Sequence, residues 1–138
     1  MPSLRVLLTV CVELAQRKIP FFTFFDANMP YLLKSTGGNS IFAVYADMLT
    51  MPYFQEVPGG SKADDFILLR AKSENAHVIS NDKYEDYITD HSWISHEDRL
   101  IKGDVVSGRV TIPYLGFDLR ILPDAVRALE NLKEALEG

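Results

Sequence analysis

The sequence predicts an α/β fold with a mainly parallel sheet. Three features lead there. Short apolar runs such as Phe21-Phe22-Thr23-Phe24-Phe25 and His77-Val78-Ile79-Ser80 show no polar alternation, which suits strands covered on both faces. Stripes at helical spacing fall between these runs. No repeat, low-complexity tract or long linker interrupts the 138 residues, so a single domain over 1–138 is expected.

Taken in order, Ser3 can cap a helix over about residues 4–17, with Leu4, Leu8, Cys11, Val12 and Ala15 on one face. The aromatic run 21–25 is the first strand and ends at Asp26. Pro30 can open a short helix through Lys34, and Gly37-Gly38-Asn39 reads as a loop. Ile41, Val44, Tyr45 and Met48 form a second helical stripe, followed by a short strand near Tyr53–Val57 and the turn Pro58-Gly59-Gly60. Ser61 can cap a third helix, about residues 62–75, with Asp64 as a capping-box-like partner. The run 77–80 is the next strand and ends in Asn81-Asp82. Val105–Thr111 and Phe117–Ile121 are strands with a hairpin character. Pro123 starts a last helix within 122–138, with Asp124 in its first turn and Ala125, Leu129, Leu132 and Leu136 as one seam. That seam is expected to pack on its own domain, with a homodimer contact as the alternative.

The net charge of −5 gives no general attraction to nucleic acid, so RNA binding needs a local basic patch or bridging metal ions. Cys11 is the sole cysteine, which excludes an intrachain disulfide and a thiolate zinc cluster and fits a reducing, cytoplasmic home. The apolar run Val6–Val12 is far below the ~20 residues of a membrane span and lacks a small-residue cleavage pattern. No membrane association is expected.

Carboxylates stand at the expected strand ends and helix starts: Asp26, Asp64-Asp65, Asp82 and Asp86. In a parallel α/β sheet these positions face one crevice, where ligands bind. Carboxylates converging there repel by about 4 kcal/mol per close pair at an effective dielectric near 20. A hard divalent cation removes that cost and can orient a phosphodiester and activate a water. Each aspartate also has a plainer role, as a helix-start or turn residue. Lys34, Lys62, Arg70, Lys72 and Lys83 lie near the cleft in sequence and are candidates for phosphate contact or plain solvated surface. His91, His96, Glu97 and Asp98 match no usual zinc spacing. Gly37-Gly38 and Gly59-Gly60 are too sparse for a phosphate-cradling loop.

The stretch Ala63-Asp64-Asp65-Phe66-Ile67-Leu68, then Ala71, then Ile79-Ser80-Asn81-Asp82-Lys83-Tyr84-Glu85-Asp86 resembles the signature of regnase-type NYN ribonucleases, a PIN-like family. Phe25-Asp26-Ala27-Asn28-Met29-Pro30 resembles a segment of bacterial relatives. The resemblance spans about Leu4 to Tyr87. It implies a three-layer α/β/α PIN-like (Rossmannoid) domain that cleaves single-stranded RNA with Mg²⁺ or Mn²⁺. It places Asp64, Asp65, Asp82 and Asp86 at catalytic positions, with Asp65, Asp82, Asp86 and Asp26 toward the metal. Ser80, Asn81, Lys62, Lys83 and Asn28 fall toward the substrate. Family members begin with a strand ending in aspartate-glycine-x-asparagine, whose aspartate is a central metal ligand, and this sequence has no such motif. An amino-terminal truncation or loss of that ligand is therefore expected, with Asp26 or a strand from the carboxy-terminal hairpin or another subunit as substitute. The alternatives are a catalytically silent PIN-like module that binds RNA or protein, and a metal-dependent phosphatase. Gly103-Asp104 and the Asp26 strand end resemble haloacid-dehalogenase-like phosphatases, but Asn28 stands where their second aspartate is needed.

Overall fold

The hydroxyl of Ser3 accepts a 3.4 Å bond from the Val6 N–H and opens helix α1, Leu4–Gln16. The computed structural model describes residues 3–36, 38–80, 92–95 and 99–137. After α1 come β1 (Thr23–Phe25), α2 (Met29–Thr36), α3 (Gly38–Met48), β2 (Phe54–Glu56), α4 (Ala63–Glu74) and β3 (Val78–Ile79). A 3₁₀ turn at Ser92–Ser95 precedes β4 (Leu100–Ile101), β5 (Asp104–Val106) and β6 (Arg109–Ile112). A second 3₁₀ turn, Pro113–Leu115, leads to β7 (Phe117–Arg120) and α5 (Ala125–Glu137). The protein is thus mixed α/β. Among the described residues no helix is long and apolar enough to cross a membrane.

The chain divides into two compact units, Met1–Ala63 with Arg120–Gly138, and Asp64–Leu119. In the first, the predicted stripe of α1 is buried against α5: Leu4, Leu8, Cys11, Val12 and Ala15 share one core with Ala125, Ala128, Leu129 and Leu132. Each buried aliphatic side chain of this kind is worth about 1.5–3 kcal/mol. The α5 seam is taken up by this core, as the plainer reading expected. Thr9, the buried polar residue of α1, donates to the Arg5 carbonyl at 2.7 Å and accepts the Leu122 N–H at 3.0 Å. It thereby fixes the chain entering α5. The α1 helix stops where Lys18 takes a left-handed φ of 59°, and the Ile19 N–H returns to the Leu14 carbonyl.

β1 and β2 of this unit pair in parallel, Thr23 with Phe54 and Phe25 with Glu56. The strand is shorter than the five-residue aromatic run because, in this parallel register, Phe21 and Phe22 fall opposite Pro52 and Tyr53, ahead of β2. Phe25, Phe54 and Tyr45 of α3 pack ring to ring beneath it. Two local expectations are corrected. The loop predicted at 37–39 is helical from Gly38 onward. The short helix predicted from Pro30 runs Met29–Thr36, since the Met29 N–H already bonds to the Asp26 carbonyl.

The second unit has a smaller cluster, Leu68, Ala71, Val78 and Ile94, with Ile67, Ala76, Trp93 and Leu100 packed against it. β3 and β4 pair in parallel, and the Ser80 N–H extends the ladder to the Ile101 carbonyl at 2.9 Å. The run Val105–Thr111, expected as one strand, is instead split into β5 and β6, an antiparallel hairpin closed between Val106 and Arg109. Its two turn residues, Ser107 and Gly108, both have positive φ (53° and 75°), the twist a two-residue hairpin demands. β7 joins the far side of β6. The Asp104 carboxylate accepts the Val105 N–H of its own strand, which occupies a donor that an incoming strand would seek.

Candidate functional site

Asp26 follows β1 directly and serves two helix starts. Its backbone carbonyl accepts the Met29 N–H at the head of α2. Its side-chain Oδ1 accepts the N–H of Ala63, the first residue of α4, at 2.9 Å. Helix starts leave N–H groups without intrahelical partners, and a carboxylate is well suited to one of them. The capping role expected of Ser61 therefore belongs to Asp26. Ser61 instead donates its own N–H to the Pro58 carbonyl.

Asp64 and Asp65 stand in the first turn of α4, as the sequence predicts, Asp64 half-buried and Asp65 exposed. Both positions favour negative charge through the helix dipole. Lys62 is exposed just ahead of them, and Asn28 is exposed in the turn before α2. Ser80 is half-buried at the end of β3. Asn81, Asp82, Lys83 and Asp86 lie outside the described residues, as do His91, His96, Glu97 and Asp98. Among the described residues no three His, Cys, Asp or Glu side chains are grouped to hold a metal ion. Of the other cations, Arg70 pairs with Glu74 at 3.2 Å and Lys72 is exposed.

Two residues at or near strand ends went unnoticed in the sequence. Glu56 ends β2 in register with Phe25, and its Oε1 accepts the Tyr45 hydroxyl at 2.7 Å. Burial, then the adjacent Glu56 carboxylate, hold the Tyr45 phenol well above its usual range. The faint signal was Tyr45 itself, a polar tip on an otherwise apolar stripe, which needs a partner when buried. The second is Arg99. Its guanidinium bonds to the carbonyls of Ala71 and Ala76, the latter at 2.8 Å, and lies 4.5 Å from the centre of the Trp93 ring. It closes the carboxyl end of α4. The Val78 N–H bonds to the Arg99 carbonyl, so this one residue also sets where β3 begins.

Cys11 plays no part in surface chemistry: burial pushes its thiol up to about 12. A concavity on the first unit is lined by Arg5, Ser40, Ile41, Val44 and residues 123–126, and no predicted site residue lines it. No protein-family model, curated protein or solved structure matches the chain.

Proposed function

We propose that this chain is a PIN-like module of the NYN type, with three α/β/α layers, that cleaves single-stranded RNA with Mg²⁺ or Mn²⁺. The observation that supports this reading best is the placement of acid on the α/β elements. Asp64 and Asp65 open the helix that follows a parallel strand, and β3, itself in a parallel pair, is followed in sequence by Ser80-Asn81-Asp82. Asp65, Asp82 and Asp86 supply oxygen donors of the kind hard divalent ions take. A bound ion would orient the phosphodiester, offset its developing charge and activate a water. In this reading Ser80 and Asn81 would lie beside it, and Lys62 and Lys83 would meet phosphates. The aspartate-glycine-x-asparagine element is absent from these residues, so Asp26 or a strand from another subunit takes its place in this reading.

One observation favours a second reading, a module that binds RNA without cutting it. The Asp26 Oδ1 already accepts a helix-start N–H, which reduces its capacity to serve as the substitute ligand. The test incubates end-labelled single-stranded RNA with the protein and Mn²⁺, beside Asp65→Asn and Asp82→Asn. Metal-dependent fragments that vanish in both variants are expected. Retained binding with no fragments in any of the three selects the silent module, and equal cleavage by wild type and variants overturns the proposed site.

A further inference from the structure

We propose that the face formed by α2 and α3 is a stacking surface for single-stranded nucleic acid. The identity of the polymer rests on the ribonuclease reading; Tyr31 and Phe42 are no part of that site, whereas Asn28 and Lys34 were already candidates for substrate contact. Tyr31 is the most exposed large hydrophobic side chain among those described, at 76%. A single exposed ring is ordinary. Its company is what differs. Lys34 lies three residues on, a neighbour on the same helix face. The Lys34 ammonium sits 4.8 Å from the centre of the Phe42 ring on α3. A cation held over the Phe42 ring thus lies one helical turn from a second ring, Tyr31, that is open to solvent.

The local charge agrees. The chain carries 19 acidic against 14 basic residues, yet none of the residues from Ala27 to Ala46 is Asp or Glu. A phosphate approaching Lys34 meets no carboxylate from either helix until Asp47, which is engaged by Lys133 at 2.8 Å. The other exposed groups of α2 and its entry turn are polar: Asn28, Ser35 and Asp26, whose Oδ1 accepts the Ala63 N–H. An apolar protein partner would leave these groups and the ammonium poorly solvated. A nucleotide suits them: its base stacks on the ring and its phosphate meets the cation, a mode that tolerates any sequence because every base has a π-face.

The test is anisotropy of a fluorescein-labelled oligouridylate at low salt in EDTA, so that binding is read without cleavage. Tyr31→Ala should weaken binding about 5- to 150-fold, the range of base-on-ring stacking. Tyr31→Trp should preserve it. Lys34→Ala should lower the slope of log affinity against log salt by about one. Since the Tyr31 side chain is largely in solvent, an unchanged urea midpoint should accompany Tyr31→Ala. Wild-type affinity in Tyr31→Ala overturns the proposal, as does an absence of oligouridylate binding by the wild type. Self-association by sedimentation that Tyr31→Ala abolishes, with RNA binding intact, overturns it too and assigns the face to protein. Tyr31-dependent binding without Mn²⁺-dependent cleavage sinks the ribonuclease reading alone. Cleavage with Tyr31-independent binding sinks this one alone.

Discussion

The two units of the chain are held by different kinds of force. In the first, helices α1 and α5 bring together aliphatic side chains and small alanines, and Leu8, Ala128 and Leu132 are wholly buried. In the second, Leu68, Ala71, Val78 and Ile94 form one small cluster and Ile101, Val110, Ile112 and Phe117 are buried as well, while Val105, Val106 and Tyr114 are 52–62% exposed. Directional contacts are prominent among its described residues: Arg99 ties the end of α4 to Trp93, and Arg109 bonds to the Asp118 carboxylate at 2.8 Å at the surface. Area-held structure tolerates polar change and suffers from lost volume. Bond-held structure does the reverse.

The largest effect should come from lost volume in the first unit. Leu132→Ala removes a fully buried side chain from the α1–α5 contact and should cost about 2–5 kcal/mol, depending on how far α1 and α5 can close the gap. Far-UV dichroism in a urea titration, dominated by the long helices of this unit, should show the midpoint fall. Trp93, the only tryptophan, reports the second unit through its fluorescence. A smaller shift in that signal is expected, and equal shifts would break the contrast between the units.

Next in size is Arg99→Ala, which strips two carbonyls of a charged donor and removes the cation from the Trp93 face. Bonds to charged groups are worth about 1.5–3 kcal/mol and a cation over a ring about 0.5–2, with overlap between them. A loss of about 2–3 kcal/mol in the Trp93-monitored transition is expected. Arg99→Lys should recover only part of it, because one ammonium cannot reproduce the guanidinium fork. Full recovery by lysine would show that charge alone holds this unit.

The same division explains what could be read in the sequence. Helices α1, α3 and α5 were legible because their buried residues recur at helical spacing and meet partners of the same kind. The aromatic strand was legible in kind but not in length, since its three paired residues are set by β2, some thirty residues away. β4 is two residues long and carries no period, so Leu100 and Ile101 gave no signal. Of the candidate site, Asp64 and Asp65 were legible as a helix-start pair. Asp26 was legible as a strand end but not as the cap of a helix that starts at Ala63, because nothing local ties the two. Arg99 was invisible for the same reason: its partners are backbone carbonyls, which every sequence has.

The smallest effect sharpens the contrast most, because Asp26 bears on both the fold and the proposed chemistry. If it acts only as a cap, Asp26→Ala should cost about 1 kcal/mol, and Asp26→Asn, which keeps an acceptor oxygen, only a few tenths. Mn²⁺ separates the two roles. A ligand that binds the folded state raises the unfolding midpoint, so a metal-binding Asp26 predicts that Mn²⁺ stabilises the wild type and that Asp26→Asn loses this gain despite its intact cap. An equal Mn²⁺ effect in wild type and Asp26→Asn leaves Asp26 as a cap alone, and the missing ligand of the ribonuclease reading must then come from elsewhere.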